Sequence, residues 1–179
     1  MKYKASNPNN KTSGASIQSV FAAMGDEVKP ILAQHGLDNL DPDEWYPQQD
    51  YLDVFNDIAR RSNVMFNLVA IGTKILEEAH FPPEIDTVEK ALGAMDAYYK
   101  LNNHDEDGGW DVRIDGQSAA CMSTTPFPAD LEYGILYAMT RRFVPSGQSF
   151  TVEYKDLDAR ERPKGHGNPC EFLVTWGKR

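Results

Sequence analysis

Cysteine is almost absent from this sequence, and clustered positive charge is absent altogether. Its two cysteines, Cys121 and Cys170, are too few for a disulfide framework, and neither belongs to a CxxC pair. The formal net charge of the 179 residues is −9, and no group of Lys or Arg is larger than a pair, which argues against nucleic acid or anionic membrane as partners. No apolar run approaches the length of a membrane span, and Met1–Ser13 is too polar for a signal peptide. We therefore expect a cytoplasmic protein.

Motifs of known catalytic chemistry are missing as well. The sequence contains no glycine-rich phosphate loop, no Gly-x-Ser-x-Gly nucleophile motif and no His-Glu-x-x-His zinc motif. The soft metal ligands Cys121, His166 and Cys170 are too few and too scattered for a zinc site. The acidic groups around Asp41 and Asp105 do not follow the spacing of a calcium loop. The sequence therefore favours a binding protein over an enzyme and predicts no metal site.

The chain has the length of one domain, and its hydrophobic pattern changes between residues 103 and 109. Helical periodicity comes first and strand alternation follows, which predicts an α+β fold. We expect a flexible tail over residues 1–14 and a single ligand-binding domain over residues 15–179. Within it, residues 15–103 form the helical part and residues 109–177 form the β-rich part.

Three stretches of the first part have clear helical patterns. Residues 48–61 place their large apolar side chains on one face of an amphipathic helix. Residues 63–79 are apolar on nearly all sides, which is typical of a central, buried helix. Thr87 has the side chain of a helix cap, and the pattern that follows predicts a helix over residues 87–101. These helices make an N-terminal helical layer.

Apolar and polar residues alternate in the second part. Residues 109–122 and 149–176 each contain two strand patterns with a turn or loop between them. The dipeptide Asp115-Gly116 predicts a two-residue turn with positive φ at both positions. Between the hairpins, the spacing of apolar residues predicts an amphipathic helix that begins at Pro128 and ends at Phe143. The result is a ββαββ module with an antiparallel sheet.

The last hairpin carries a motif with a known counterpart. Its residues Gly167-Asn168-Pro169-Cys170-Glu171-Phe172 resemble the closing motif of the 4-vinyl-reductase-like small-molecule-binding domain. That family is similar to the haem–nitric-oxide-binding fold, in which helices precede a ββαββ module. Further stretches resemble bacterial proteins of this kind, namely Trp45–Gln49, Phe81–Ile85, Asn102–His104 and Ala138–Phe143. The resemblance covers most of residues 28–176 and implies a domain that binds a small molecule.

The sequence departs from these families at two places. Relatives of the vinyl-reductase type often carry a second cysteine before the one that matches Cys170, and Arg162 occupies that position here. The Tyr-x-Ser-x-Arg motif, which clamps the haem propionates in the haem–nitric-oxide family, does not occur in this sequence. A paired-cysteine role is therefore not implied, and haem binding loses its most specific sequence support. Cys170 alternates with apolar residues, which favours a buried, inert thiol.

Aromatic and methionine side chains supply the candidate ligand-binding residues. We expect the following to face a cavity between the helical layer and the sheet: Phe66, Val69, Met95, Tyr98, Tyr99, Trp110, Leu136 and Met139. Methionine and aromatic residues line adaptable apolar pockets, and tyrosine hydroxyls orient polar groups of a ligand. The competing interpretation is that each of these residues belongs to the ordinary hydrophobic core. The pocket interpretation gains its support from the family resemblance.

Two histidines are candidate axial ligands if the cofactor is haem. His80 follows a predicted helix, and His104 lies between the last helix of the first part and the sheet. Both positions are compatible with an imidazole that points between the layers. The alternative is that His80 is a cation at a helix C-terminus and His104 is an ordinary loop residue.

We therefore predict a cytoplasmic sensor domain. It would hold a hydrophobic or planar molecule between helices and sheet, and it would signal through a protein partner or a homodimer. The resemblance leaves three alternatives open. They are a haem-based gas sensor with a histidine axial ligand, a tetrapyrrole-related reductase or accessory protein, and an assembly protein without a ligand.

Overall fold

The computed structural model describes residues 2–60, 67–77, 79–160 and 168–178. The helices and strands, in chain order, are β1 (Lys11–Ser13), α1 (Gly14–Met24), α2 (Lys29–Gln34), β2 (Trp45–Pro47), α3 (Gln48–Arg60), α4 (Leu68–Glu77), α5 (Val88–Gly93), α6 (Met95–Asn102), β3 (Asn103–His104), β4 (Trp110–Asp115), β5 (Ser118–Ser123), α7 (Ala129–Phe143), β6 (Ser149–Tyr154) and β7 (Cys170–Lys178). This order of helices and strands confirms the predicted α+β class. None of the described helices is long and apolar enough to cross a membrane.

The helices of the first part begin and end at residues suited to those positions. The Ser13 side chain accepts a hydrogen bond from the Ser16 backbone N–H, and Thr87 does the same for Lys90. Helix α2 is followed by Gly36, whose φ of 67° is unfavourable for other residues. The helix predicted over residues 87–101 is divided at Ala94 into two short helices, α5 and α6.

The segment predicted as a flexible tail packs against the rest of the protein. Tyr3 and Ala5 are buried, and strand β1 lies between β2 and β3 in a small antiparallel sheet. The Asn56 side-chain amide accepts from the Tyr3 backbone N–H at 2.8 Å and donates to the Tyr3 carbonyl at 2.8 Å. Composition indicates only that this segment is polar. Its order comes from backbone hydrogen bonds with distant residues, which composition does not reveal.

The second part forms a four-stranded antiparallel sheet in the order β4-β5-β7-β6, with α7 against one face. The two predicted hairpins are present, and their inner strands pair with each other. The first turn differs from the prediction, because Asp115 pairs with Ser118 and the loop residues are Gly116 and Gln117. Only Gly116 has a positive φ, at 57°. This pattern is typical of a type II′ turn, which needs glycine at its first central position alone.

Two hydrophobic clusters make up the interior. One joins α1, α2 and α3, and the other joins α5, α7 and the sheet. Ile75 on α4 and Ile135 on α7 contact both clusters. Helices α4 and α7 cross where Gly72 faces Gly134, and this contact holds the helical layer against the ββαββ module.

The crossing of α4 and α7 generates the first prediction. A methyl group on Gly134 would overlap the carbonyl oxygen of Val69 and lie 3.0 Å from the Cα of Gly72. Since both neighbours are backbone atoms, the helices must separate, and we expect Gly134→Ala to lower the free energy of unfolding by about 2 kcal/mol or more. Urea denaturation measures this loss.

Gly93 provides the matched control. It is also helical, but a methyl group there meets no atom within 4 Å. We expect Gly93→Ala to be neutral or to stabilise the protein by up to about 1 kcal/mol. Equal losses in the two variants would show that the close approach of α4 and α7 is not what makes Gly134 necessary.

Candidate functional site

A cavity of about 470 Å³ lies between the helical layer and the ββαββ module. Its walls come mainly from α1, α4, α6 and α7, with Tyr51 on α3, Asn103 on β3, the first residue of β4 and residues of the connecting segments. The volume falls within the range of small-molecule sites in proteins. The sequence predicted α4, α6, β4 and α7 among these walls, but it did not predict Tyr51, Asn103 or helix α1. The contribution of α1 consists of small residues, Ala15, Ser16, Ser19, Ala22 and Ala23, together with Val20.

The structure brings together most of the predicted ligand-binding residues. Those that line the cavity are Met95, Tyr98, Tyr99, Trp110 and Met139. Val69 does not line it, and its carbonyl oxygen lies against Gly134 where α4 and α7 meet. Leu136 is also absent from the lining, because it is fully buried in the cluster that α7 makes with the sheet. Phe66 lies outside the described residues.

Several lining residues were missed by the sequence reasoning, and Glu132 is the most unusual of them. Its side chain is 3% exposed and accepts hydrogen bonds from the hydroxyls of Ser123 and Thr125, both at 2.5 Å. These two hydrogen bonds hold the Glu132 side chain in place at the cavity wall. A glutamate next to Leu131 on the apolar face of α7 was the sequence signal for this position.

Tyr99 connects the cavity to a buried polar network. Its hydroxyl donates to Asp105 at 2.7 Å, and the same carboxylate accepts from the Asn10 side chain at 2.9 Å and the Gly108 backbone at 3.0 Å. Burial and the adjacent Asp105 raise the pKa of Tyr99, so the phenol stays protonated. The network ties the N-terminal segment to the start of the β-rich part.

Tyr51, on α3, is a second buried phenol in the lining. Only 2% of the residue is exposed, and burial raises its pKa. Its ring lies 5.3 Å from the Phe127 ring, measured between centroids.

The histidines do not contribute side chains to the described lining. His104 is exposed and stacks on Trp45, with ring centroids 3.7 Å apart, so it faces away from the layer interface. His35 bonds to Asp57 at 2.9 Å on the helical side of the protein. His80 is exposed, although its neighbours Ala79 and Phe81 both line the cavity. His166 lies outside the described residues.

The cysteines are buried in the sheet. Cys121 and Cys170 are not joined in a disulfide bond, and both are buried, as the favoured interpretation of the sequence expected for Cys170. Burial raises the pKa of Cys121 to about 12, so its thiol is unreactive at neutral pH. No group of three or more potential metal ligands occurs among the residues that the structure describes.

The lining allows a test of whether haem fits. Haem iron in proteins is held by histidine, cysteinate, methionine or tyrosinate. No described lining residue is a histidine or a cysteine, and the raised pKa values of Tyr51 and Tyr99 oppose the phenolate form. Lys74 is the one cationic side chain among the described lining residues. The described walls therefore do not fit a histidine-ligated haem with two propionates.

Comparison with known proteins gives a likeness of fold. No family model matches the sequence, and a search of curated proteins found no significant match. Among solved structures, an Fe(II) unliganded H-NOX protein from K. algicida superposes with a TM-score of 0.66 and 10% identity, over 94% of this chain and 98% of that one. An oxygen-binding H-NOX domain related to soluble guanylate cyclases superposes with a TM-score of 0.58 and 12% identity, over 92% of this chain and 93% of that one. A structure from a study of heme distortion in the H-NOX family superposes with a TM-score of 0.60 and 12% identity, over 93% of this chain and 92% of that one.

These likenesses show that the chain has the H-NOX fold, which is the haem–nitric-oxide-binding fold that the sequence resembles. At this level of identity they show the fold alone. The resemblance to the 4-vinyl-reductase-like domain stays a prediction.

The network around Asp105 generates the second prediction. Asp105→Ala removes the acceptor for the buried Tyr99 hydroxyl and for the Asn10 amide. We expect the free energy of unfolding to fall by about 2–4 kcal/mol, because buried donors are left without partners. Asp107→Ala is the control, since Asp107 is exposed and should change stability by less than about 0.5 kcal/mol. Thermal denaturation of both variants measures the difference. Similar melting temperatures would contradict the stabilising role of the network around Asp105.

Proposed function

We propose that this protein is a ligand-binding sensor domain that holds a small, largely apolar molecule in the cavity between its helical layer and its sheet. The observation that carries the proposal is the cavity itself, which lies at the junction of two hydrophobic clusters in a chain of H-NOX fold. A cavity of this volume at the junction of two structural layers is a common place for a ligand.

The position of Tyr98 supports a sensory role. Tyr98 lines the cavity, yet 55% of its surface is exposed. On the same helix, Leu101 is 72% exposed. A ligand that displaces Tyr98 would therefore alter an exposed apolar surface on α6. We propose that a protein partner or a second copy of the chain reads this change.

Nile red, a neutral planar dye, tests the cavity. We expect its fluorescence to rise on binding the purified protein, and we expect Ala23→Phe to weaken binding at least about tenfold, because Ala23 lines the cavity and the added ring occupies it. Ala59→Phe adds the same ring to an exposed position on α3 and should leave binding unchanged. Native mass spectrometry of the purified protein identifies any molecule that is retained. Absence of dye binding together with absence of a retained molecule would overturn the proposal.

Haem is the second candidate for the ligand, in a gas-sensing function. The comparisons support haem better than a ligand of another class. The structural neighbours include an Fe(II) H-NOX protein, an oxygen-binding H-NOX domain and a protein from a study of heme distortion. His80 is the histidine best placed to serve it, since it lies between two residues that line the cavity. Against it stands the described lining, which lacks a histidine and has one cation.

Absorbance spectroscopy separates the two candidates. After expression with added haem, we expect the purified protein to show no Soret band, because the described walls offer no axial histidine. A stoichiometric Soret band that His80→Ala shifts or removes would establish the haem alternative instead. His104→Ala is the control, since His104 stacks on Trp45 away from the cavity and its loss should not affect haem.

A further inference from the structure

The exposed members of the lining mark where the cavity opens to solvent. They belong to three helices, α1, α4 and α6, and are Ala15, Ser19, Ala22, Lys74 and Tyr98. Helix α1 contacts α4, and the Ser13 hydroxyl at the start of α1 donates to the Asn102 side chain at the end of α6 at 3.1 Å. The opening therefore lies among these three helices.

This opening carries a net positive charge in a protein whose formal net charge is −9. Lys74 is exposed there, and it is the one cationic side chain among the described lining residues. It forms no ion pair with a described residue, whereas Lys90, on α5, pairs with Asp86 at 2.7 Å. No exposed lining residue within the described part of the chain is acidic. The ammonium of Lys74 is therefore available to an anion at the opening.

The inner wall has a different character. Its large side chains are mainly apolar and include Leu76, Met95, Leu131, Ile135 and Met139. Three of its polar side chains, Tyr99, Asn103 and Thr125, form hydrogen bonds within the protein. Glu132 is the one acidic residue among the described lining residues, and at 3% exposure it lies on this inner wall and not at the opening. The cavity therefore combines an apolar interior with a cation at its entrance.

We propose that the cavity takes an amphiphile with one anionic head, whose apolar body lies between the layers and whose head lies at Lys74. This inference rests on the proposed ligand-binding function and adds the class of ligand. Burial of the body supplies most of the affinity, and methionine side chains adapt to its shape. The head accepts a charge-assisted hydrogen bond from the ammonium, which the flexible stem of Lys74 can bring to it. Because the head stays at the opening, it keeps part of its hydration and avoids the cost of burying a charge.

Three probes with the same ten-carbon tail test the head group, namely decanoate, decanol and decylamine. Their binding is measured by displacement of Nile red at about pH 7.5, where decanoate is ionised and decylamine is protonated, below the concentrations at which the probes form micelles. We expect decanoate to bind at least about threefold more tightly than decanol and at least about tenfold more tightly than decylamine. Raising the salt concentration from about 0.01 M to about 1 M should reduce the advantage of decanoate over decanol, because the contact at the opening is screened.

Substitutions of Lys74 assign the preference to its residue. Lys74→Gln removes the charge, so we expect decanoate to lose at least about threefold in affinity while decanol changes by less than about twofold. Lys74→Arg keeps the charge and should keep the preference for decanoate. Lys90→Gln is the matched control, because Lys90 is exposed on α5 outside the lining and should leave all three affinities unchanged.

The outcomes distinguish the two levels of the proposal. Binding of Nile red without a preference for decanoate rejects the inference and retains the function. A preference for decanoate that survives in Lys74→Gln also rejects the inference, because the anionic head would then bind elsewhere in the protein. Failure of Nile red and of all three probes to bind, with no molecule retained in native mass spectrometry, rejects both.

Discussion

The close contact of α4 and α7 at Gly72 and Gly134 is the constraint on which the rest of the architecture depends. Helix α7 already lies on the sheet, so its opposite face must receive the helical layer. With glycine at both positions, the helix backbones approach directly and no side chain fills the crossing. Beyond this point the two hydrophobic clusters separate, and the cavity occupies the space between them. The tight crossing and the hollow are therefore two consequences of the same packing.

The polar network around Asp105 constrains a second part of the architecture, the cavity wall at Tyr99. It connects Asn10, Tyr99 and Asp105, which belong to three separate stretches of the chain, through hydrogen bonds that are shielded from water. Such a network is strong only when its members are satisfied, and Asp105 satisfies several at once. The network therefore fixes the phenol of Tyr99 at the cavity wall. A preorganised site of this kind spends little binding energy on ordering itself.

Periodicity in the sequence was sufficient to predict the long helices and strands. It was not sufficient to predict the short strands, or which neighbour each side chain of α7 contacts. The ββαββ module and α3 follow from alternation and helical spacing, which depend on neighbours along the chain. Strands β1 and β3 are too short to show alternation, and each is held by distant partners. Helical spacing identified an apolar face on α7 that is wide enough to meet two surfaces. It did not show that Leu136 faces the sheet, that Met139 reaches the cavity or that Glu132 interrupts the wall.

A shared fold likewise conveys the position of a cavity but not the chemistry of its wall. The path of the chain determines where a hollow forms, and this path is common to the protein and to H-NOX domains of 10–14% identity. The charge and hydrogen-bonding capacity of the wall depend on individual side chains, which differ freely at that identity. In this chain, the described wall carries a buried carboxylate at Glu132 and a single cation at Lys74. Two propionates would meet one positive charge there. The wall, more than the fold, therefore decides which molecule this protein can hold.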